Sequence, residues 1–197
     1  MNTDPLRYAG FWPRLGAILL DFVFLMPVTA LCFWGSSKFR LFDVYFFVPD
    51  ILWGLFYSVY LVRRWGGTPG KLIVGIRIRK LNGERVGYRE AFLRQLPDFV
   101  LGLLISAALT VPLFRMTDAE YHALSFLERA RQMDALAPRW YQPLHWLQTA
   151  WVWSELVVLL TNRKRRALHD FIAGTVVVHV APAIDAAPQS AVAVPGH

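Results

Sequence analysis

The chain has 197 residues, of which 55% are hydrophobic, 15% aromatic and only 18% charged, with a net charge of +7 and one cysteine. Soluble domains carry roughly 25% charged residues, so this composition argues against one, and a lone cysteine excludes an intramolecular disulfide. The positive charge would suit nucleic acid or an anionic membrane surface, and its placement along the chain decides between them.

Arg7 and Arg14 precede a first apolar stretch, 15–34, which holds Asp21 and Cys32. Its length, its acid and the lack of a small-residue cleavage site favour a retained membrane span over a cleaved signal peptide. A second stretch, 44–62, holds Asp50. Gly66, Gly67, Thr68, Pro69, Gly70 and Lys71 then lead into alternating Ile76, Arg77, Ile78 and Arg79 and on to Asn82-Gly83, the pattern of a strand and a hairpin-type turn. A third apolar stretch, 97–114, carries Asp98. In the segment 115–143, Thr117 and Glu120 have capping-box spacing, and Phe126, Ala130, Met133 and Ala137 recur at helical intervals. That pattern predicts an amphipathic helix packed over the bundle at the membrane surface, or a lid or partner contact. The fourth stretch, 144–160, carries Glu155 within a seven-residue repeat of Gln148, Glu155 and Asn162. After the basic run Arg163 to Arg166, a β-branched run at 174–180 would pair with the strand at 75–80 to make a small sheet. Residues 181–197 are rich in Ala and Pro and lack an apolar period, so a disordered tail is expected after a single domain at 7–180.

Apolar stretches of 17 to 20 residues, at about 1.5 Å per residue, approach the roughly 30 Å of a bilayer's hydrocarbon core. The expected fold is therefore an all-α integral membrane protein, a four-helix transmembrane bundle with a small cytoplasmic β-hairpin and an outer amphipathic helix. Lys and Arg number two in 1–14, two in 35–43, nine in 63–96, four in 115–143 and four in 161–197. By the positive-inside rule the segment 63–96 and both termini are cytoplasmic, in a multi-pass protein of the cell membrane. Anionic lipid headgroups at the cytoplasmic face are then the expected partner of the basic loop, in place of nucleic acid.

Each span carries one acid, and a carboxylate near a helix centre costs about 2.5–3.5 kcal/mol on insertion scales, so it should face protein, water or a cation. Pro49-Asp50 and Pro97-Asp98 match helix openings, with proline in the first turn and an acid at the positive dipole end. The surrounding strings VPDILWGLF and LPDFVLGLL resemble each other, which fits either an inverted repeat or chance similarity between apolar segments. Asp50 shares a helical face with Gly54 and Tyr57, and Asp98 shares one with Gly102 and Ser106. Asp21 and Glu155 have no helix-start explanation. They are either proton- or cation-responsive groups, or structural: Asp21 paired with Arg14 or an inner-loop cation, Glu155 hydrogen-bonded across helices.

Enzyme readings find no support, and no catalytic residue, cofactor or metal site is expected. GGTPGKL departs from a phosphate-binding P-loop, because Trp65 stands where its first glycine belongs and Leu72 follows the lysine. The histidines at 122, 145, 169, 179 and 197 lack paired metal-ligand spacing.

The opening YAGFWPRLGAILLD, the segment GGTPGKLIVGIRI with its later Asn-Gly turn, and the closing RRALHDFIAGTVVV resemble the RDD family of small membrane proteins, over roughly residues 7–180. The resemblance implies that the arginine and two aspartates of the family name are Arg14, Asp21 and Asp170. It maps the family's inner-loop motif onto Gly67, Thr68, Gly70, Lys71 and Gly75. It also raises Asp170 from a surface or cap residue to one that would approach Arg14, Arg166 or Lys71 and tie the C-terminal strand to the bundle. The segment 115–143 is longer than the family's simplest pattern. Ion transport has been proposed for some members. The expected function is thus transport of a small ion or solute, with Asp21, Glu155, Asp50 and Asp98 as ion-responsive groups and a small cation or proton as ligand. The alternative is a non-catalytic scaffold or accessory subunit that meets a membrane partner or a second copy of itself.

Overall fold

A computed structural model describes residues 7–180, so the expected tail at 181–197 lies outside the described residues. In chain order the elements are α1 (Phe11–Lys38), α2 (Phe42–Leu55), a π-helical turn (Phe56–Tyr60), α3 (Leu61–Trp65), α4 (Pro69–Ile73), β1 (Ile76–Lys80), α5 (Tyr88–Arg115), α6 (Asp118–Ala123), α7 (Phe126–Leu136), α8 (Tyr141–Thr161), α9 (Leu168–Ala173) and β2 (Thr175–His179). Three stretches are long and apolar enough to cross a membrane: Phe11–Lys38, Phe42–Ile73 and Tyr88–Arg115, with mean hydropathies of 2.2, 1.4 and 1.9. The fourth expected stretch does form a helix, α8, of 21 residues. Its polar residues Gln148, Thr149 and Glu155, with three tryptophans, keep its hydropathy below that of the other three.

Packing is concentrated at the two ends of the molecule. At one end Ala9, Ala17, Val59, Val62, Ile76, Ile78 and Val177 form a core between the sheet and the helix ends. At the other, Leu113, Met116 and Tyr121 pack with Leu41, Val44, Met133 and Leu136. Between them the long helices leave large apolar side chains bare, including Phe22, Val23, Val48, Leu52, Val152 and Trp153. Bare apolar surface on this scale is foreign to soluble monomers and suits contact with lipid.

The sheet joins β1 to β2 in antiparallel register, Ile76 opposite His179 and Lys80 opposite Thr175. The long-range pairing expected from the two β-branched runs is therefore present. The Asn82-Gly83 turn closes only one bridge, Arg79 to Arg85, so the two-stranded sheet is not a local hairpin. The N-terminal segment flanks the other edge of β2, where Ala9 N–H donates to the Val177 carbonyl at 2.8 Å and His179 N–H to the Arg7 carbonyl at 2.9 Å. Residues 7–9, 76–80 and 175–179 thus meet at one end.

Two sequence expectations require correction. Pro49 and Pro97 lie inside α2 and α5, which begin earlier at Phe42 and Tyr88. The start of α5 is set at Gly87, whose N–H donates to the Glu90 carboxylate at 2.7 Å, and a turn carrying Arg89, Glu90 and Arg94 continues the helix ahead of the apolar run. Asp50 and Asp98 are mid-helix acids and lose the explanation of a helix start. The single helix expected across 117–137 is two, because Ser125 opens a second capping box with Glu128 and ends α6 before α7 begins. Phe126 is consequently 68% exposed, while Met133 packs inward.

The short helix α4 lies against α1 with glycine at the closest point. A Cβ on Gly70 would overlap the Ala17 carbonyl oxygen and stand 2.8 Å from the Asp21 carboxyl carbon, whereas one on Gly54 would meet nothing within 4 Å. Gly70→Ala is therefore expected to destabilise the protein by about 1–3 kcal/mol through overpacking. Gly54→Ala, inside α2, should be neutral or stabilising because alanine is the better helix former. Thermal unfolding of the two variants in detergent checks this, and equal midpoints would refute the close approach.

Candidate functional site

The site is built where α9 and β2 return to the start of α1. Asp170 is fully buried. Its Oδ2 accepts from Arg14 Nη1 at 2.9 Å and from its own helix's Ala167 N–H at 3.0 Å. Its Oδ1 accepts from the Thr175 hydroxyl at 3.1 Å and from the Arg94 guanidinium. Burial alone would raise this carboxylate's pKa. Arg94, the nearby His169 and Arg14 overcome it and hold the pKa well below the usual carboxylate range.

The residues around Asp170 explain the motif RRALHD one by one. Arg165 is the one non-glycine residue with positive φ among the described residues, at 50°, and this turn aims its carbonyl at Arg14 Nη2, 2.6 Å away. Arg166 is buried, donating from Nε to the Thr175 carbonyl at 3.0 Å and from Nη2 to the Asp170 carbonyl at 2.8 Å. Arg14 Nε reaches the Ala9 carbonyl at 3.3 Å. One buried carboxylate thus clamps α1, α5, α9 and β2 together.

Asp21 sits two turns along α1 but does not join Arg14. Its Oδ1 accepts from the Tyr57 hydroxyl at 2.6 Å and the Gly70 N–H at 2.7 Å, and its Oδ2 accepts from the Thr68 hydroxyl at 2.5 Å. The carboxylate supplies the cap that α4 lacks from its own residues. Lys71 Nζ stands 3.5 Å from the Thr68 hydroxyl. Gly66 and Gly75 adopt φ of 83° and 75°, bracketing the loop with left-handed turns that favour glycine. Tyr57, expected on the face of Asp50, reaches Asp21 from inside the π-helical turn, where α-helical spacing no longer applies.

The remaining acids have fewer donors. Glu155 Oε1 accepts from the His169 N–H at 2.8 Å, and its Oε2 stands 2.5 Å from His169 Nδ1. Glu155 Oε2 and His169 Nε2 are nevertheless buried polar atoms without a well-formed hydrogen bond. Asp98 Oδ1 accepts from the Trp151 indole N–H at 2.9 Å. Three separate cavities, each sharing wall residues with the next, are lined by these acids. One of about 290 Å³ is lined by Cys32, Asp43, Asp50, Ser106 and Thr110. A second, of about 180 Å³, shares Asp50 and Ser106 with it and adds Gly54, Gly102 and Asp98. A third, of about 340 Å³, shares Asp98 and adds Trp151, Glu155, His169 and Arg14. Of the seven-residue polar repeat on α8, Glu155 faces this cavity, while Asn162 caps the helix end, accepting from the Lys164 N–H at 2.8 Å.

Sequence reasoning placed Arg94 in the basic loop and left His169, Asp43 and Trp151 without roles. Arg94 stands one helical turn before Asp98, a spacing that would have placed it on the helix and on the acid's face.

Compared with known proteins, residues 8–174 match the profile described as the RDD family. The chain is also similar to the uncharacterized protein YckC of Bacillus subtilis (strain 168), 29% identical over 175 residues that cover 88% of this chain and 86% of that one. No solved structure matches.

Two outcomes follow from the geometry. Asp170→Asn leaves Arg14 and Arg94 buried without their counter-ion and should destabilise the fold by about 3–5 kcal/mol, whereas Asp21→Asn, which disturbs neutral donors, should cost about 1–3 kcal/mol. Chemical denaturation in detergent checks the order, and a reversed ranking would refute the clamp. Burial, then the Arg94 charge, holds the His169 imidazole below its ordinary pKa, with Glu155 and Asp170 opposing them in part. The unfolded state therefore binds more protons between that lowered value and about 6.5. Stability should rise with pH through this window and level off above it. Thermal midpoints from pH 5 to 8 should show that slope, and His169→Gln should reduce it; an unchanged slope would remove His169 as its source.

Proposed function

The chain belongs to the RDD family, and from that footing we propose that it moves a small cation or proton along the acids Asp43, Asp50, Asp98 and Glu155. The observation that carries this reading is the sharing of wall residues: Asp50 and Ser106 line the first and second cavities, and Asp98 lines the second and third. A carboxylate with few donors in a low-dielectric wall exchanges a proton for a cation, because burial favours its neutral form and a bound cation its charged form. At the end of the lane His169, paired with Glu155 through Nδ1, leaves its buried Nε2 without a hydrogen-bond partner. An unmatched buried group costs about 1–3 kcal/mol, which a bound ion or proton would relieve.

This reading takes α8 as a fourth span in a multi-pass protein of the cell membrane, with the sheet end and both termini cytoplasmic. The nine basic residues of 63–96 support that sidedness. Asp21 becomes a structural group here, since three donors already satisfy it. No catalytic chemistry is assigned to any residue.

Flux of protons, sodium and potassium into proteoliposomes tests the proposal. Asp98→Asn should bring cation or proton flux to background while the amount of folded protein stays level. Undiminished flux in Asp98→Asn and Glu155→Gln would overturn it. Wild-type protein that moves no ion but retains a companion from the membrane would favour the scaffold reading.

A further inference from the structure

A second site lies apart from the acids, at the sheet end. A cavity of about 140 Å³ forms between the end of α3 and the outward face of β1, lined by Arg63, Arg64, Arg77, Arg79 and Arg85 beside Trp65. No Asp or Glu lines it. Arg77 and Arg79 come from alternate positions of β1, whose Ile76 and Ile78 are buried on the opposite face. Arg85 is brought opposite Arg79 by the bridge that the Asn82-Gly83 turn closes. Arg63 is held beside the Tyr88 ring, 5.7 Å from its centroid.

Of the two acids nearest in sequence, exposed Glu84 does not line the cavity and Glu90 is already committed. Glu90 accepts from Gly87 N–H at 2.7 Å and stands 3.4 Å from Lys80 Nζ. Like charges set directly opposite across strands destabilise a sheet, and here five converge on one small space. Burial first, then the charges of Arg85 and Arg77, press the Arg79 pKa downward. A bound anion would offset this repulsion. Guanidinium groups offer paired donors that match the oxygens of a phosphate, and several of them can engage one group at once. Trp65, 47% exposed at the end of α3, gives the cavity an amphipathic ring of the kind that favours headgroup depth.

We propose that the cavity formed by Arg63, Arg64, Arg77, Arg79 and Arg85 binds a multiply charged phosphate group, carried by a lipid headgroup or by a soluble phosphate compound. Bound there, the phosphate ties the end of α3 to β1 and the turn at 82–83. It thereby braces the loop that carries Thr68 and Gly70 to Asp21, since Gly66, the first residue after α3, accepts from Ile78 N–H through its carbonyl at 2.6 Å.

The full-length protein in detergent, dialysed against labelled pyrophosphate, tests the soluble source. The same protein in phosphatidylcholine nanodiscs with a minor fraction of phosphatidic acid, analysed by native mass spectrometry, tests the lipid. Saturable binding of either is expected, weakened about tenfold or more in Arg77→Gln/Arg79→Gln, as loss of charge-assisted hydrogen bonds requires. Exposed Arg85→Gln is the milder variant should the double replacement fail to fold, and Arg139→Gln at the far end should leave binding unchanged. Pyrophosphate binding identifies a soluble ligand, and retention of phosphatidic acid alone identifies a lipid. Absence of saturable binding in both arms, or equal weakening by Arg85→Gln and Arg139→Gln, would overturn the site. These outcomes are independent of ion flux.

Discussion

The buried carboxylate of Asp170 is the constraint on which the described fold depends. Two distant segments, Arg14 of α1 and Arg94 of α5, reach it, and the adjoining Ala167 at the start of α9 and Thr175 of β2 complete its shell. An ion pair in a dry interior is weak evidence of net stability, because desolvation offsets much of the attraction. Its value is in selection among arrangements. Any packing that separates Asp170 from its arginines leaves two guanidiniums and a carboxylate buried and unpaired, so misplaced helices are penalised far more than the correct one is rewarded. In a bilayer, where apolar faces find lipid as readily as each other, such a polar clamp supplies an orientation that hydrophobic burial does not.

The second clamp works by a different chemistry. Asp21 meets no arginine. It gathers a phenol, a hydroxyl and a backbone N–H, and the absence of a side chain on Gly70 lets α4 come close enough to donate. The two aspartates divide the work: Asp170 joins the chain's ends to the helices, and Asp21 joins the middle loop to α1. Both act at the sheet end, while the other packed end is sealed mainly by apolar contact and by the Tyr121 hydroxyl donating to the Ser36 carbonyl at 2.8 Å. The length between these ends is left to bare apolar side chains.

Legibility in the sequence followed the range of the interaction that decides each feature. Apolar runs, the glycine-bracketed loop and the two β-branched strands are local patterns, and each appears where its pattern placed it. Helix starts were misread at Pro49 and Pro97 because proline is compatible with a first turn and also with a kinked interior, and only the surrounding packing chooses. The break at Ser125 was readable from its spacing to Glu128 but was masked by a helical period running across it. Arg94 was lost among basic neighbours, since nothing local separates a loop arginine from one that turns inward to a carboxylate 76 residues away. Membership of a known family located Asp170 as significant. The contacts explain why it is.

The acids of this chain divide by the number of donors they meet, and the division bears on function more directly than their depth along the helices. Asp170 and Asp21 are each surrounded by three or more donors, which leaves little room for an ion beside them. Asp98 receives one indole N–H, Glu155 meets only His169, through one oxygen on its backbone N–H and the other beside its ring Nδ1, and Asp50 lines open space on two sides. An acid that structure alone required would be expected to collect donors as the first two do, because each missing partner is a free-energy cost the fold otherwise bears without return. The carboxylates with few donors line adjacent cavities, and the proposed passage of a proton or cation rests on them, whereas the two aspartates rich in donors serve cohesion.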